Sequence, residues 1–243
     1  FSPRSGLERK AYSGTLNWKL TDTMNLTAVA SHSSVVGQLS ADADASPMNL
    51  QVTGGQQDFK WSTGEIRLNG RAFDHTDWTL GTFFYDSTAA NRQTVSFPPL
   101  LYGIFRAGGT GAPPPVAVFL IDGPANVGVN AQNIADSKSE AAFLHTVTNF
   151  TDKLSMTLGA RYSHDKKDVA FDNGFYVGPI NIDDNHTDWR AGLDYKFSNT
   201  VMAYVSASTG YRPPAYNSRP FSPAQAVAVG GEEMTAYELG LKT

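Results

Sequence analysis

No cysteine occurs in the 243 residues, which excludes a disulfide framework and any thiolate metal site. Charge is sparse as well: Asp, Glu, Lys and Arg make up 17% of the chain, against about a quarter in ordinary globular domains. The net charge of −4, with no cluster of Lys or Arg, argues against nucleic acid as a partner. Long apolar runs are missing too. The longest, Val116–Ile121, falls far short of the roughly 18 residues a membrane helix needs. His32, His75, His145, His164 and His186 are scattered without the spacing of a metal or triad motif, and no catalytic constellation emerges elsewhere. The chain is therefore expected not to be an enzyme and to need no cofactor. One membrane architecture stays open, since a barrel strand needs only about 9–11 residues and hides half its apolar signal by alternation.

What the chain does have is alternation. Trp189, Ala191, Leu193, Tyr195 and Phe197 alternate with Asp188, Arg190, Gly192, Asp194 and Lys196, the period of a strand with one apolar and one charged face. Nine such signals run along the chain: Glu8–Leu20, a segment opening at Met24, Asp58–Gly70, Trp78–Tyr85, Ala141–Phe150, Leu154–His164, 187–197, 201–211 and Thr235–Lys242. Short connections at 21–23, 74–77, 151–153 and 198–200 are rich in Asp, Asn, Ser and Thr, which favour tight turns. They alternate with long ones at 37–57, 86–138, 169–186 and 212–233. Long loops all leaving one end of the strands match an outer-membrane barrel, with short periplasmic turns and long extracellular loops. The expected fold class is all-β: a partial transmembrane antiparallel β-barrel, about nine strands of a larger barrel. Trp18, Trp61, Trp78, Trp189, Phe197 and Tyr211 lie near strand ends, as an interfacial girdle would. The chain opens at Phe1 without Met or a signal peptide, as an internal piece of a longer protein would.

Glu65, Arg67, Arg161, Asp188, Arg190, Asp194, Lys196, Glu238 and Lys242 all fall on the polar phase. An Arg or Lys facing lipid at mid-depth would cost about 2–4 kcal/mol, so this phase belongs to the lumen. Arg161, Arg190 and Asp194 are candidates for a wall facing a plug; cross-strand pairing without plug contact is the alternative. In the longest loop, Phe97, Tyr102, Phe105 and Phe119 surround the Gly- and Pro-rich run Gly108–Pro115. Tyr102 and Phe105 are candidate ligand contacts, or they pack the loop onto itself. Arg212, Tyr216 and Arg219 are further candidates, since Arg pairs well with carboxylate-bearing solutes. His164-Asp165 and Asp183-Asp184-Asn185-His186 are expected at strand–loop junctions, as solvated loop residues or as contacts to a metal chelate.

Ser208-Thr209-Gly210-Tyr211-Arg212-Pro213-Pro214-Ala215-Tyr216-Asn217, then Arg219-Pro220-Phe221 and Tyr237-Glu238-Leu239-Gly240-Leu241-Lys242, resemble the barrel of TonB-dependent outer-membrane receptors. Gln57-Asp58-Phe59 through Ile66-Arg67-Leu68, with Trp78–Tyr85, is similar to another hairpin of that family. Leu158-Gly159-Ala160-Arg161-Tyr162-Ser163 is similar to its Gly-x-Arg-Tyr strand. The resemblance implies a barrel of about 22 strands around a plug. It also implies uptake of a scarce solute (iron-siderophore, cobalamin or saccharide) across the bacterial cell outer membrane. Outer-membrane lipid would surround the barrel, and the TonB-ExbB-ExbD complex would supply energy through the plug region. Residues 1–243 show no plug domain, so the expectation is a single partial receptor barrel domain. A passive porin or other outer-membrane barrel shares the strand pattern, and so does a secreted all-β carbohydrate-binding module. The module requires the apolar side chains to meet in a dry interior; the barrel requires them to face outward.

Overall fold

The computed structural model describes residues 4–42, 52–97, 127–172, 177–218 and 223–243. Nine strands form one antiparallel sheet: β1 (Arg4–Lys19), β2 (Met24–Asp42), β3 (Val52–Ala72), β4 (Thr76–Phe97), β5 (Val127–Asn149), β6 (Leu154–Asp172), β7 (Val177–Lys196), β8 (Met202–Arg212) and β11 (Glu232–Lys242). Between β8 and β11 lie the short paired strands β9 (Ala215–Tyr216) and β10 (Ala228–Val229), with one 3-10 turn at Pro223–Gln225. Sheet order follows chain order, so the sheet is a meander with β1 and β11 at its edges.

Three of the tight turns use one local device. The hydroxyl of the first turn residue accepts the backbone N–H two residues on: Thr21 from Thr23, Thr151 from Lys153 and Ser198 from Thr200, each at 3.2 Å. The flanking residues close the loop, with Leu20, Phe150 and Phe197 N–H donating to the carbonyls of Met24, Leu154 and Val201. The fourth turn is Phe73-Asp74-His75, with φ of 53° and 58° at its first two residues. It lies earlier than the expected 74–77, because Thr76 and Asp77 already pair with Thr148 and Val147 of β5.

Each hairpin also steps past the one before it. Arg71 N–H donates to Thr23 O, Asn149 N–H to His75 O and Lys196 N–H to Lys153 O, always in the same direction. This one-way stagger is the shear that tilted strands of a barrel require.

The register sorts the side chains onto two faces. Trp18, Leu26, Leu68, Leu80, Leu144, Ala160 and Trp189 are successive cross-strand partners from β1 to β7. Met156, Leu193, Val205 and Leu239 continue the apolar face through β8 to β11. One residue along, the opposite face carries Asn25, Asn69, Thr79, His145, Gly159, Arg190 and Ser208. Leu193, Tyr195 and Leu239 are 45%, 42% and 84% exposed, so they meet in no dry interior. An apolar face of this extent needs a non-aqueous neighbour, and the soluble-module reading fails on it.

The strands run farther than alternation indicates. The long connections shrink to 43–51, 98–126, 173–176 and 213–231. The reason lies in the next rows of the apolar face. Tyr12, His32, Ser62, Asp86, Lys138, Lys166 and Asp183 are also successive partners, and nearly all are polar. On most strands both faces are wetted there, so the ladder continues while the period-two signal disappears. In β6 and β7 the apolar residues change to the polar face instead, with Val169, Phe171, Ile180 and Ile182 buried. Trp61 also departs from expectation. It stacks on Phe59 at 4.7 Å, on the same side of β3 as Glu65 and Arg67, and is not part of an outer girdle.

Candidate functional site

The polar face is where chemistry can act, and at mid-height Arg161 organises it. Its Nε donates to Ser163 Oγ at 3.2 Å, and its guanidinium carbon lies 5.6 Å from the Phe83 ring and 5.8 Å from that of Phe143. Cation–π attraction at this range helps hold the cation in place. Phe143 in turn places the far end of its ring over its register partner Gly81, filling the space a Cβ would need. Arg67 is held differently, by Glu65 at 2.7 Å two residues away on the same strand face.

Arg190 and Asp194 share this face with Arg161, yet no two of the three are register partners. Arg161 stands between Phe143 and Asp188, Arg190 between Gly159 and Ser208, and Asp194 between Ser155 and Tyr204. Near the tight turns, a cavity of about 470 Å³ is lined by Asn25, Asn69, Arg71, Thr79 and His145. Thr79 donates to Asn69 at 2.9 Å, and Arg71 holds Asp77 through two hydrogen bonds. Amides, hydroxyls and ionisable groups share this lining with Trp78 and Val147, so it can make polar contacts with a folded partner or a hydrated solute.

At the loop end the same face turns apolar. Val169, Phe171, Ile180 and Ile182 are buried there, and the segment after β8 lies on them. Tyr216 meets Phe171 edge-on at 5.9 Å. Lys167 Nζ donates to Pro214 O and Asn133 Nδ2 to Ser218 O, both at 3.0 Å. Burial raises the Tyr216 phenol above its ordinary pKa, so it stays a neutral donor. Arg212 stands 3.5 Å from Glu232 across the hairpin, with both side chains exposed. Of the candidate ligand contacts, Arg212 and Tyr216 therefore engage this chain's own residues. Tyr102, Phe105 and Arg219 lie outside the described residues.

His164-Asp165 and Asp183–His186 sit within β6 and β7, not at strand–loop junctions, because both strands continue past them. His164 Nε2 pairs with Asp183 at 2.9 Å on one face, while Asp184 and His186 project from the other. His186 stacks on Tyr211 at 3.9 Å, and the Tyr211 hydroxyl donates to Asp184. Sequence reasoning assigns Tyr211 to the girdle; its contact with His186 joins residues of different strands and has no local signal. Phe83 and Phe143 were legible in principle, since both fall on the phase of Glu65 and Arg161. Among the described residues no set of three or more His, Asp or Glu is placed to hold a metal ion.

Solved structures share this fold. The ferric yersiniabactin uptake receptor FyuA from Yersinia pestis matches with a TM-score of 0.73 and 15% identity, covering 98% of this chain and 33% of FyuA. The siderophore receptor PiuA from Acinetobacter baumannii matches at 0.72 and 14%, covering 98% of this chain and 38% of PiuA. The ferric-catecholate import receptor Fiu from E. coli K12 matches at 0.60 and 12%, covering 98% and 38%. The chain thus spans about a third of the length of the structures it resembles. No curated protein matches it by sequence. The family model described as TonB dependent receptor-like, beta-barrel matches residues 1–243. With its outward apolar belt, polar inner wall and one-way strand stagger, the chain belongs to the TonB-dependent receptor β-barrel family of the bacterial outer membrane.

Proposed function

We propose that this chain forms part of the wall of a TonB-dependent receptor that carries a scarce solute inward across the outer membrane. The observation that carries the reading is the division of the sheet. One face offers continuous hydrocarbon contact, and the other offers amides, hydroxyls and spaced charges. On this reading Arg161, Arg190 and Asp194 face a plug. A guanidinium held, among the described residues, by Phe rings and one hydroxyl stays available to a carboxylate of that plug. The plug region would engage the TonB-ExbB-ExbD complex, and outer-membrane lipid would cover the row from Trp18 to Trp189.

The solute belongs to the iron-siderophore, cobalamin or saccharide class, and the siderophore class is favoured because FyuA, PiuA and Fiu are all described as receptors for iron chelates or siderophores. A growth experiment tests both levels. Cells carrying or lacking the intact receptor are grown with ferric chelates, cobalamin or oligosaccharides as the limiting nutrient, with TonB present or absent. Growth on one limiting nutrient that needs both the receptor and TonB is expected. Growth that needs the receptor but not TonB would instead identify a passive porin.

A further inference from the structure

β7 has two unlike edges. Toward β6 it is paired from Val177 to Tyr195, but toward β8 only from Arg190 to Lys196. Both strands continue past the last rung, β7 back to Val177 and β8 on to Arg212. Beyond the rung between Arg190 and Ser208, side chains replace the ladder. Thr209 Oγ1 accepts the Trp189 N–H at 2.9 Å and donates to Asp188 at 3.1 Å. Tyr211 stacks on His186 and donates to Asp184. Glu233, the β11 partner of Tyr211, brings a carboxylate oxygen to 3.7 Å from His186 Nδ1.

The hairpin thus leans inward, and the segment behind it lies on the apolar patch of Val169, Phe171, Ile180 and Ile182. Its tethers there are again side-chain bonds, from Lys167 to Pro214 and from Asn133 to Ser218. A backbone ladder resists opening because every broken rung strands a donor and an acceptor. A side-chain seam opens more readily, since water can satisfy exposed polar groups one at a time.

We propose that the upper β8–β11 hairpin, with the described residues 213–218 and 223–231, forms a flap in the barrel wall. It is hinged at the Arg190–Ser208 rung, latched by Tyr211 against Asp184 and His186, and uncovers the apolar patch when released. Its role as a gate for solute rests on the receptor reading above; its opening does not.

The absence of cysteine from the chain makes a thiol reporter clean. In the intact receptor, with any other thiols replaced, Ile182→Cys or the flap-side reporter Ala226→Cys is treated on whole cells with a membrane-impermeant maleimide. Labelling is slow with the latch intact and at least tenfold faster with Tyr211→Ala. Tyr211→Phe, which keeps the ring and loses the hydroxyl, gives a smaller increase. Receptor levels in the outer membrane are measured beside each variant, and equal labelling with and without Tyr211→Ala at normal levels overturns the flap. For gating, Asn133→Cys with Ser218→Cys is joined by a reducible crosslinker. Uptake falls at least tenfold while the link is closed and recovers on reduction; wild-type uptake with the link closed overturns the gate. Labelling needs no solute, so it decides the flap even if the receptor reading fails.

Discussion

Leu80→Arg or Leu144→Arg will strip the receptor from the outer membrane, while Thr79→Arg will leave it there. Leu80 and Leu144 are register partners in the middle of the apolar row, three or more strands from β1. An Arg at lipid mid-depth costs about 2–4 kcal/mol, a large fraction of the roughly 5–15 kcal/mol that hold an ordinary domain folded. The double variant adds a like-charge pair directly across the ladder, which is destabilising in its own right. Thr79 is the immediate neighbour of Leu80 but points to the other face, beside Asn69 and His145. The cavity of about 470 Å³ there has room for a longer polar side chain. Immunoblots of fractionated membranes, with the heat-dependent mobility shift of folded barrels, compare the three. Equal folded levels for Leu80→Arg and Thr79→Arg would show that the faces are assigned the wrong way round.

Gly81→Ala will destabilise the barrel, whereas Gly64→Ala will not. A Cβ on Gly81 would overlap the Phe143 ring, which lies across it, while nothing stands within 4 Å of one on Gly64. Overpacking of this kind typically costs 1–3 kcal/mol, because the displaced ring needs a new rotamer and a new neighbour. Here the ring also supports Arg161, so moving Phe143 disturbs a cation of the polar face. The unfolding midpoint in detergent, read by loss of the folded mobility form, should fall for Gly81→Ala. It should hold or rise for Gly64→Ala, since a strand glycine is itself unfavourable by about 0.5–1 kcal/mol. Adding Phe143→Leu to Gly81→Ala should recover part of the loss, a coupling expected only of residues in contact. The same aromatic-over-glycine pairing recurs at Gly70 with Trp78 and Gly240 with Tyr204, one on each face of the sheet. Without such coupling, the pairing would be incidental to stability.

Much of the polar face was legible from parity alone. Arg161, Arg190 and Asp194 share one face because a strand turns successive side chains to opposite sides, and the turns keep the faces in register. The same rule places Trp61 on the inner face, since it shares the phase of Glu65 and Arg67 and not that of Ile66 and Leu68. The girdle assignment read aromatic character at a strand end and overlooked phase. Tyr216 shows a different limit. Nothing near it in the chain indicates that it rests on Phe171, a residue of another strand.

Alternation alone determined the existence of the strands, the division of their faces and the positions of three of the four tight turns. Those features are local: a period of two, and hydroxyls that bond to their own backbone. Only the assembled sheet decided how far the strands run, since a ladder wetted on both sides, or one whose apolar residues change faces as at Val169 and Ile180, leaves no continuous apolar phase to read. It also decided that Phe143 lies on Gly81 and that β8 parts from β7 above Ser208. Those outcomes depend on which residues the register brings face to face across strands far apart in the chain, and no local pattern carries that information.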